Sequence, residues 1–197
     1  MQELWIKKVE WDEKLEGKDE EKITKWLVEL KGIENVHVSR CMAPDGSNIT
    51  NKQLHIFVDA SETAMAAVAY LRTVNRDDQV AVSFVCSKTK VAPINAISIP
   101  RLELLAAKIG AVLGRILSSC LGVDGESMLL WTDSNDVLGW IRNRSRMIQP
   151  FVTHRVSRIQ ENCENSRWLK VSSKDNPADL ATRGLKASEF WNHSTWF

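Results

Sequence analysis

Residues 99–114 read IPRLELLAAKIGAVLG, and this stretch decides what kind of fold the chain can adopt. Pro100 suits the first position of a helix, which we expect to run to about Leu117. One side of that helix carries only small residues, namely Ala107, Gly110, Ala111 and Gly114. Because small residues let a helix approach a sheet closely, the stretch predicts a helix packed against a β-sheet.

Three strand-like runs precede this helix. They occupy residues 54–59, 65–72 and 79–87, and residues 75–78 supply turn chemistry between the last two. Consecutive strands joined by short connections typically form an antiparallel meander. We therefore expect one half of the sheet to be antiparallel.

Two more strands are expected after the helix. Residues 127–132 are fully apolar at their centre, as in a buried parallel strand, and residues 167–172 form the second run. Asn176 and Pro177 open a last helix and Gly184 ends it. The order βββαβααβα predicts an α/β fold with a mixed five-stranded sheet, three antiparallel strands then two parallel ones, flanked by helices. The remaining helices are expected at residues 134–143 and 150–163.

The start of the chain differs from the rest in composition. Residues 1–42 are rich in lysine and glutamate and predict a short N-terminal helical segment, separated by turn residues from a second unit at residues 52–190. Trp5, Trp11 and Trp26 lie on the apolar minority face of this segment. A stripe of this kind is more typical of a core or docking surface than of a ligand site.

Bulk composition bounds the class of protein. The 197 residues are 44% hydrophobic and carry a net charge of +1, which is ordinary for a globular protein. We expect no membrane span, because no apolar run looks long enough, and no signal peptide in residues 1–30. The scattered cysteines favour a reducing intracellular compartment, cytoplasmic or nuclear, over secretion. These cysteines are Cys41, Cys86, Cys120 and Cys163.

Four acidic residues stand at strand ends or helix starts: Asp59, Glu103, Asp133 and Asp179. The three aspartates could be a turn acid, a helix cap and a first-turn acid, respectively. Glu103 is harder to explain, because a carboxylate in an apolar helix opening is costly to bury unpaired. If the four converge, they repel one another unless a divalent cation or a proton neutralises them. Convergence would predict hard-cation binding and phosphodiester cleavage, with Asp136 as the substitute if one assignment is wrong.

A basic stretch lies at residues 137–160, which contain five arginines and no acid. It could be a solvated helix face or a surface that follows nucleic-acid phosphates, and the sequence alone favours neither. The arginines are Arg142, Arg144, Arg146, Arg155 and Arg158.

Four motifs taken together resemble the ribonuclease H domain of LTR-retrotransposon polyproteins, most closely the BEL/Pao class. The resemblance covers about residues 53–186, and residues 4–41 resemble the tail that joins reverse transcriptase to ribonuclease H in such polyproteins. The motifs are FVDAS (57–61), IPRLELLAA (99–107), LWTDS (130–134) and KDNPADLATRG (174–184).

This resemblance implies a ribonuclease H-like fold and a metal-dependent endonuclease that hydrolyses the RNA strand of RNA–DNA hybrids during reverse transcription. It places the family's metal-binding carboxylates on Asp59, Glu103, Asp133 and Asp179. They would hold two Mg²⁺ ions roughly 4 Å apart, with Mn²⁺ as a substitute. One ion would activate the attacking water and the other would stabilise the leaving 3′ oxygen.

The resemblance also implies contacts to nucleic acid and to a partner protein. The 2′-hydroxyl that distinguishes RNA would be contacted near Ser61 and from Ser134 and Asn135. Phosphates of the DNA strand would be followed by Arg142, Arg144 and Arg146. The polymerase part of a reverse transcriptase is the expected protein partner, and no membrane is expected.

One motif departs from the family. The last strand usually leads into a His-Val-Pro-Gly-Lys-Asp-like stretch, whereas residues 170–175 here read KVSSKD. Two alternative functions also stay open. One is a catalytically silent, nucleic-acid-binding remnant or domesticated transposon domain, and the other is a DNA nuclease of integrase or resolvase type on the same fold.

Overall fold

Five strands form one mixed sheet in the computed structural model, which describes residues 2–42, 48–143, 149–164, 166–186, 189 and 196. The strand order across the sheet is β3-β2-β1-β4-β5. The strands are β1 (Ile49–Ala60), β2 (Ala64–Asn75), β3 (Val80–Val91), β4 (Met128–Thr132) and β5 (Arg167–Lys170).

The pairing confirms the predicted mixed sheet. Strands β1, β2 and β3 pair antiparallel, and β4 pairs parallel with both β1 and β5. The turn between β2 and β3 forms because the Asn75 side chain accepts hydrogen bonds from the backbone N–H groups of Asp77 and Gln79. Asp78 completes this turn in the left-handed region, at a φ of 57°.

Six α-helices accompany the sheet in the described ranges. Pro100, Pro150 and Pro177 each lie in the first turn of a helix, where a missing backbone N–H costs no hydrogen bond. The helices are α1 (Gln2–Ile6), α2 (Lys18–Leu30), α3 (Ile99–Leu121), α4 (Asn135–Arg142), α5 (Pro150–Asn162) and α6 (Pro177–Arg183). The predicted order of elements from β1 to α6 is confirmed.

Helix α3 packs on the sheet through its small residues. A Cβ atom added to Gly114 would lie 2.5 Å from Ile56 Cδ1, and one added to Gly110 would overlap Val58 Cγ1. By length and composition α3 could cross a membrane, so the expectation that no apolar run is long enough was wrong. Its buried side, however, belongs to the core shared with β1 and β2, as in the central helix of a globular domain.

Replacing Gly110 with alanine should lower the free energy of unfolding by about 1–2 kcal/mol. Overpacking against the β-branched Val58 costs more than the roughly 1 kcal/mol that alanine gains in helix propensity. The Gly139→Ala variant is the matched control, because a Cβ atom at this glycine of α4 would meet nothing within 4 Å. We expect urea denaturation to show a less stable Gly110→Ala variant and a slightly more stable Gly139→Ala variant. Equal shifts in the two variants would contradict close packing of α3.

The N-terminal segment is helical, as predicted, and makes few contacts with the rest of the chain. Two ion pairs join α2 to α1 and to the residue after it: Lys22–Glu3 at 2.7 Å and Lys7–Asp19 at 2.5 Å. The side-chain amide of Gln2 donates to the Ala92 carbonyl oxygen at 2.5 Å. Neither helix buries a residue, and the tryptophans stay on the surface, with Trp11 84% exposed. That this face docks on a polymerase stays a prediction.

Candidate active site at the ends of strands β1 and β4

Asp59 and Asp133 lie at the same end of the sheet, Asp59 near the end of β1 and Asp133 directly after β4. Strands β1 and β4 run parallel, and Val58 pairs with Thr132, so the next residue in each chain segment is an acid. Both acids thus lie at the same edge of the sheet, where the carboxyl ends of parallel strands present side chains to a common site.

Asp59 is the most buried of the four acids, with 7% of its surface exposed. The Thr182 hydroxyl of α6 donates a hydrogen bond to its Oδ2 atom at 2.5 Å. Burial is the main cause that raises the pKa of Asp59 to about 6. The Thr182 hydrogen bond lowers this pKa, whereas the charges of Asp133 and Asp179 raise it.

Glu103 lies in the first turn of α3, at the same end of the sheet. The Ser134 hydroxyl donates to its Oε2 atom at 2.5 Å. Burial raises the pKa of Glu103 above its ordinary value, and so do the charges of Asp133 and Asp136, against the lowering effect of the Ser134 hydrogen bond. Glu103 is therefore a half-buried carboxylate close to another acid, and such an arrangement is typical of functional sites.

Asp133 interacts with two of the other acids, since its charge raises the pKa of both Asp59 and Glu103. It does not cap α4: Ser134 occupies the cap position and accepts from the Val137 N–H. The ammonium group of Lys170 donates to the Asp133 backbone carbonyl and, at 2.9 Å, to Asn135 Oδ1. Lys170 thus places a positive charge beside the acids from strand β5.

Asp179 is brought to the site by α6. Asn176 caps this helix as predicted, accepting from the Ala178 N–H, and its amide also donates to the Val58 carbonyl oxygen at 3.0 Å. The Asp179 carboxylate accepts from Arg183 Nε at 2.7 Å. The charges of Asp59 and Asp133 also act on Arg183 and help raise its pKa.

Electrostatic coupling therefore links all four predicted acids in a chain, from Glu103 through Asp133 and Asp59 to Asp179. In the arrangement seen, three of the carboxylates bond to donors of the protein itself, namely Thr182, Ser134 and Arg183. Within the described part of the chain, no three His, Cys, Asp or Glu side chains are gathered closely enough to hold a metal ion. Metal binding by these acids stays a prediction.

Comparison with known families decides where this chain belongs. The family described as "Pao retrotransposon-like RNaseH-like domain" matches residues 1–134, which is more than half of the chain. The chain belongs to this family. The match includes Asp59, Glu103 and Asp133 but ends before Asp179. It also includes the N-terminal helical segment. No curated protein sequence matches the chain.

Several solved structures are similar to this Pao RNase H-like domain. The N-terminal RNase H domain of a Mycobacterium tuberculosis protein shares 12% identity at a TM-score of 0.44, over 67% of this chain and 91% of that one. An RNase H1 isolated from compost, solved in complex with an RNA/DNA hybrid, shares 11% sequence identity at a TM-score of 0.46. The match covers 71% of this chain and 99% of that one. A foamy viral protease-reverse transcriptase in complex with double-stranded DNA shares 9% sequence identity at a TM-score of 0.35. The match covers 63% of this chain and 24% of that one.

Several side chains predicted to contact nucleic acid form hydrogen bonds within the Pao domain itself. Ser61 donates to the Thr182 carbonyl oxygen at 2.9 Å, and Asn135 accepts from Lys170. Ser134 bonds to Glu103. Arg142 donates to the Trp168 carbonyl oxygen at 3.1 Å, which ties α4 to β5. Arg144 and Arg146 lie outside the described residues. These assignments all stay predictions.

Three side chains of the site were missed by sequence reasoning: Thr182, Lys170 and Arg183. Arg183 stands four residues after Asp179 on a helix, a spacing that could have revealed the pair. Thr182 and Lys170 reach the acids only because α6 docks on β1 and β5 pairs with β4. Their roles depend on contacts between distant segments, which a single sequence does not display.

Proposed function

We propose that this domain is a ribonuclease H that cleaves the RNA strand of RNA–DNA hybrids by metal-dependent hydrolysis during retrotransposon reverse transcription. The observation that carries the proposal is the coupling of four acids at one end of the sheet, with Asp59 buried and its pKa raised in part by Asp133 and Asp179. Membership in the Pao RNase H-like family supports the choice of substrate.

The donor set suits hard divalent cations. All four side chains, Asp59, Glu103, Asp133 and Asp179, offer carboxylate oxygens, which Mg²⁺ and Mn²⁺ prefer. A cation would offset the cost of burying the Asp59 charge, which is the main cause of its raised pKa, and also its repulsion by Asp133 and Asp179. When bound, two Mg²⁺ ions would supply an activated water and stabilise the leaving oxygen. Arg183 Nε donates to the Asp179 carboxylate and places a positive charge beside it.

The protein's own groups would hold the acids ready for this task. Thr182 and Ser134 donate to Asp59 and Glu103 and so fix the direction of each carboxylate. Lys170 places a cation beside Asp133, where it lowers the local negative charge. Such preset partners reduce the reorganisation that a site needs before it reacts.

A pair of arginines, Arg101 on α3 and Arg155 on α5, offers a contact surface for nucleic acid. The guanidinium carbon of Arg101 lies 5.0 Å from the centroid of the Phe151 ring, and that of Arg155 lies 3.4 Å from it. Neither forms an ion pair with an acid in the described ranges, and Arg155 Nε is buried without a hydrogen-bond partner. Two like charges against one ring repel each other, so a phosphate beside them would be stabilising. Arg101 and Glu103 both lie near the start of α3, but residues two positions apart on a helix do not face each other, so this surface lies on another side of α3 than Glu103.

Replacing Arg155 with glutamine should weaken hybrid binding about 3- to 10-fold and lower the slope of log K against log salt by about one. The control is Arg158→Gln, one turn further along α5, because Arg158 is exposed and already paired with Glu161 at 2.9 Å. Fluorescence anisotropy of a labelled hybrid in EDTA, at several salt concentrations, measures both quantities. If the two variants bind alike, the arginine pair is not part of the interface.

Cleavage of labelled duplexes tests the proposed function directly. The purified chain is incubated with Mg²⁺ and with RNA–DNA, DNA–DNA and RNA–RNA duplexes of one sequence, and with EDTA in a parallel series. We expect cuts in the RNA strand of the hybrid only, and none in EDTA. Cleavage of DNA–DNA would indicate a DNA nuclease of the same fold. Hybrid binding without any cleavage would indicate a silent binding domain.

A further inference from the structure

Helix α6 is only seven residues long, yet it carries one of the four acids and is fixed at both ends, to strand β1 and to the turn that follows β1. At its start, the Asn176 amide donates to the Val58 carbonyl oxygen at 3.0 Å. At its end, the Thr182 carbonyl oxygen accepts from Ser61 Oγ at 2.9 Å and from Thr63 Oγ1 at 3.2 Å. So short a helix has little stability of its own, and its position must come from such tertiary contacts.

The Thr182 side chain is the point where this attachment meets the acids. It is 2% exposed, and its Oγ1 atom lies 2.5 Å from Asp59 Oδ2 and 2.9 Å from the Asp179 carbonyl oxygen. One hydroxyl carries one proton, so it can satisfy only one of these two acceptors at a time. An ionised carboxylate is the stronger acceptor. The hydroxyl therefore donates to Asp59 when Asp59 is charged.

We propose that Thr182 is a positioning residue of the candidate active site. Its hydroxyl fixes the orientation of the Asp59 carboxylate, and its backbone, held by Ser61 and Thr63, fixes α6 so that Asp179 faces Asp59. This inference rests on the proposed function for its effect on catalysis. Its effect on cation binding does not need cleavage and can be measured separately.

A purely structural role for a buried threonine gives different expectations, and two substitutions separate the roles. Thr182→Val keeps the shape and removes the hydroxyl, whereas Thr182→Ser keeps the hydroxyl and removes a methyl group. Core packing alone would make the serine variant the worse of the two. Positioning through the hydrogen bond would make the valine variant the worse one.

The experiment measures hybrid cleavage at varied Mg²⁺ and hybrid concentrations, and binding of Mn²⁺ alone by electron paramagnetic resonance, for the parent and both variants. For Thr182→Val we expect a kcat roughly 10- to 100-fold lower, a several-fold higher Mg²⁺ requirement and weaker Mn²⁺ binding, with an unchanged KM for the hybrid. For Thr182→Ser we expect values close to those of the parent.

The outcomes distinguish the two proposals. If the parent does not cleave hybrid, the proposed function fails, and Mn²⁺ binding still decides the role of Thr182. Equal Mn²⁺ binding by the parent and Thr182→Val, or a serine variant as impaired as the valine variant, overturns the inference. Absence of Mn²⁺ binding in the parent overturns it as well. If thermal melting shows that the valine variant does not fold, Thr182→Ala takes its place with the same expectations.

Discussion

The Asp133→Asn variant should cleave an RNA–DNA hybrid at least about 1,000-fold more slowly than the parent chain. Asp133 follows β4 beside Asp59, and its charge acts on both Asp59 and Glu103. Asparagine keeps the size of the side chain and removes the charge that would hold a cation in the middle of the site. Losing roughly 4 kcal/mol of transition-state stabilisation corresponds to this factor.

Initial rates under saturating Mg²⁺ measure this effect, and hybrid binding in EDTA shows whether the variant still recognises its substrate. We expect binding within about twofold of the parent, since the substitution removes a negative charge and no phosphate contact. Asp136→Asn is the matched control, because Asp136 is exposed on the first turn of α4, three residues away. Normal cleavage by Asp133→Asn together with loss of cleavage in Asp136→Asn would move the assignment to Asp136.

The order of elements could be predicted from the sequence because apolar periodicity records which residues face the core. Leu54, Ile56 and Val58 alternate with less buried residues along β1 and pack under α3. The extents of β1, β2 and β3 were underestimated, whereas β5 ends at Lys170, two residues before its predicted end. Strand β1 begins at Ile49 and β3 continues to Val91, and these end portions are largely exposed. Backbone pairing with β2 extends the strands there, and pairing leaves no apolar signal.

The candidate site was predictable in part for a similar reason. Acids at strand ends and helix starts can be found in a sequence, because the topology brings those ends together. The donors that hold the acids could not be found in the same way. Whether Thr182 reaches Asp59, or Arg142 reaches the Trp168 carbonyl oxygen, depends on how whole helices dock on the sheet. A charged side chain in a sequence does not show which acceptor lies within its reach.

The Asp59→Asn variant should be more stable than the parent at neutral pH without divalent cations, by up to about 3 kcal/mol. The pKa of Asp59 is raised to about 6 in the folded chain from 3.8, chiefly by burial. Protonated Asp59 is therefore favoured in the fold at low pH. As the pH rises from about 4 to about 6, the unfolded chain releases the proton first and the folded state loses stability. Asparagine stays neutral and avoids this loss.

Urea denaturation in EDTA across this pH range measures the difference between parent and variant. We expect it to be small near pH 4, to grow up to about pH 6 and to stay constant above that. Asp175→Asn, at an exposed acid before α6, is the matched control for replacing an aspartate by asparagine. Added Mg²⁺ should stabilise the parent more than Asp59→Asn, because a cation bound to the folded state opposes the repulsion that the substitution removes. A stability difference that does not change with pH would mean that the Asp59 charge does not destabilise the folded chain.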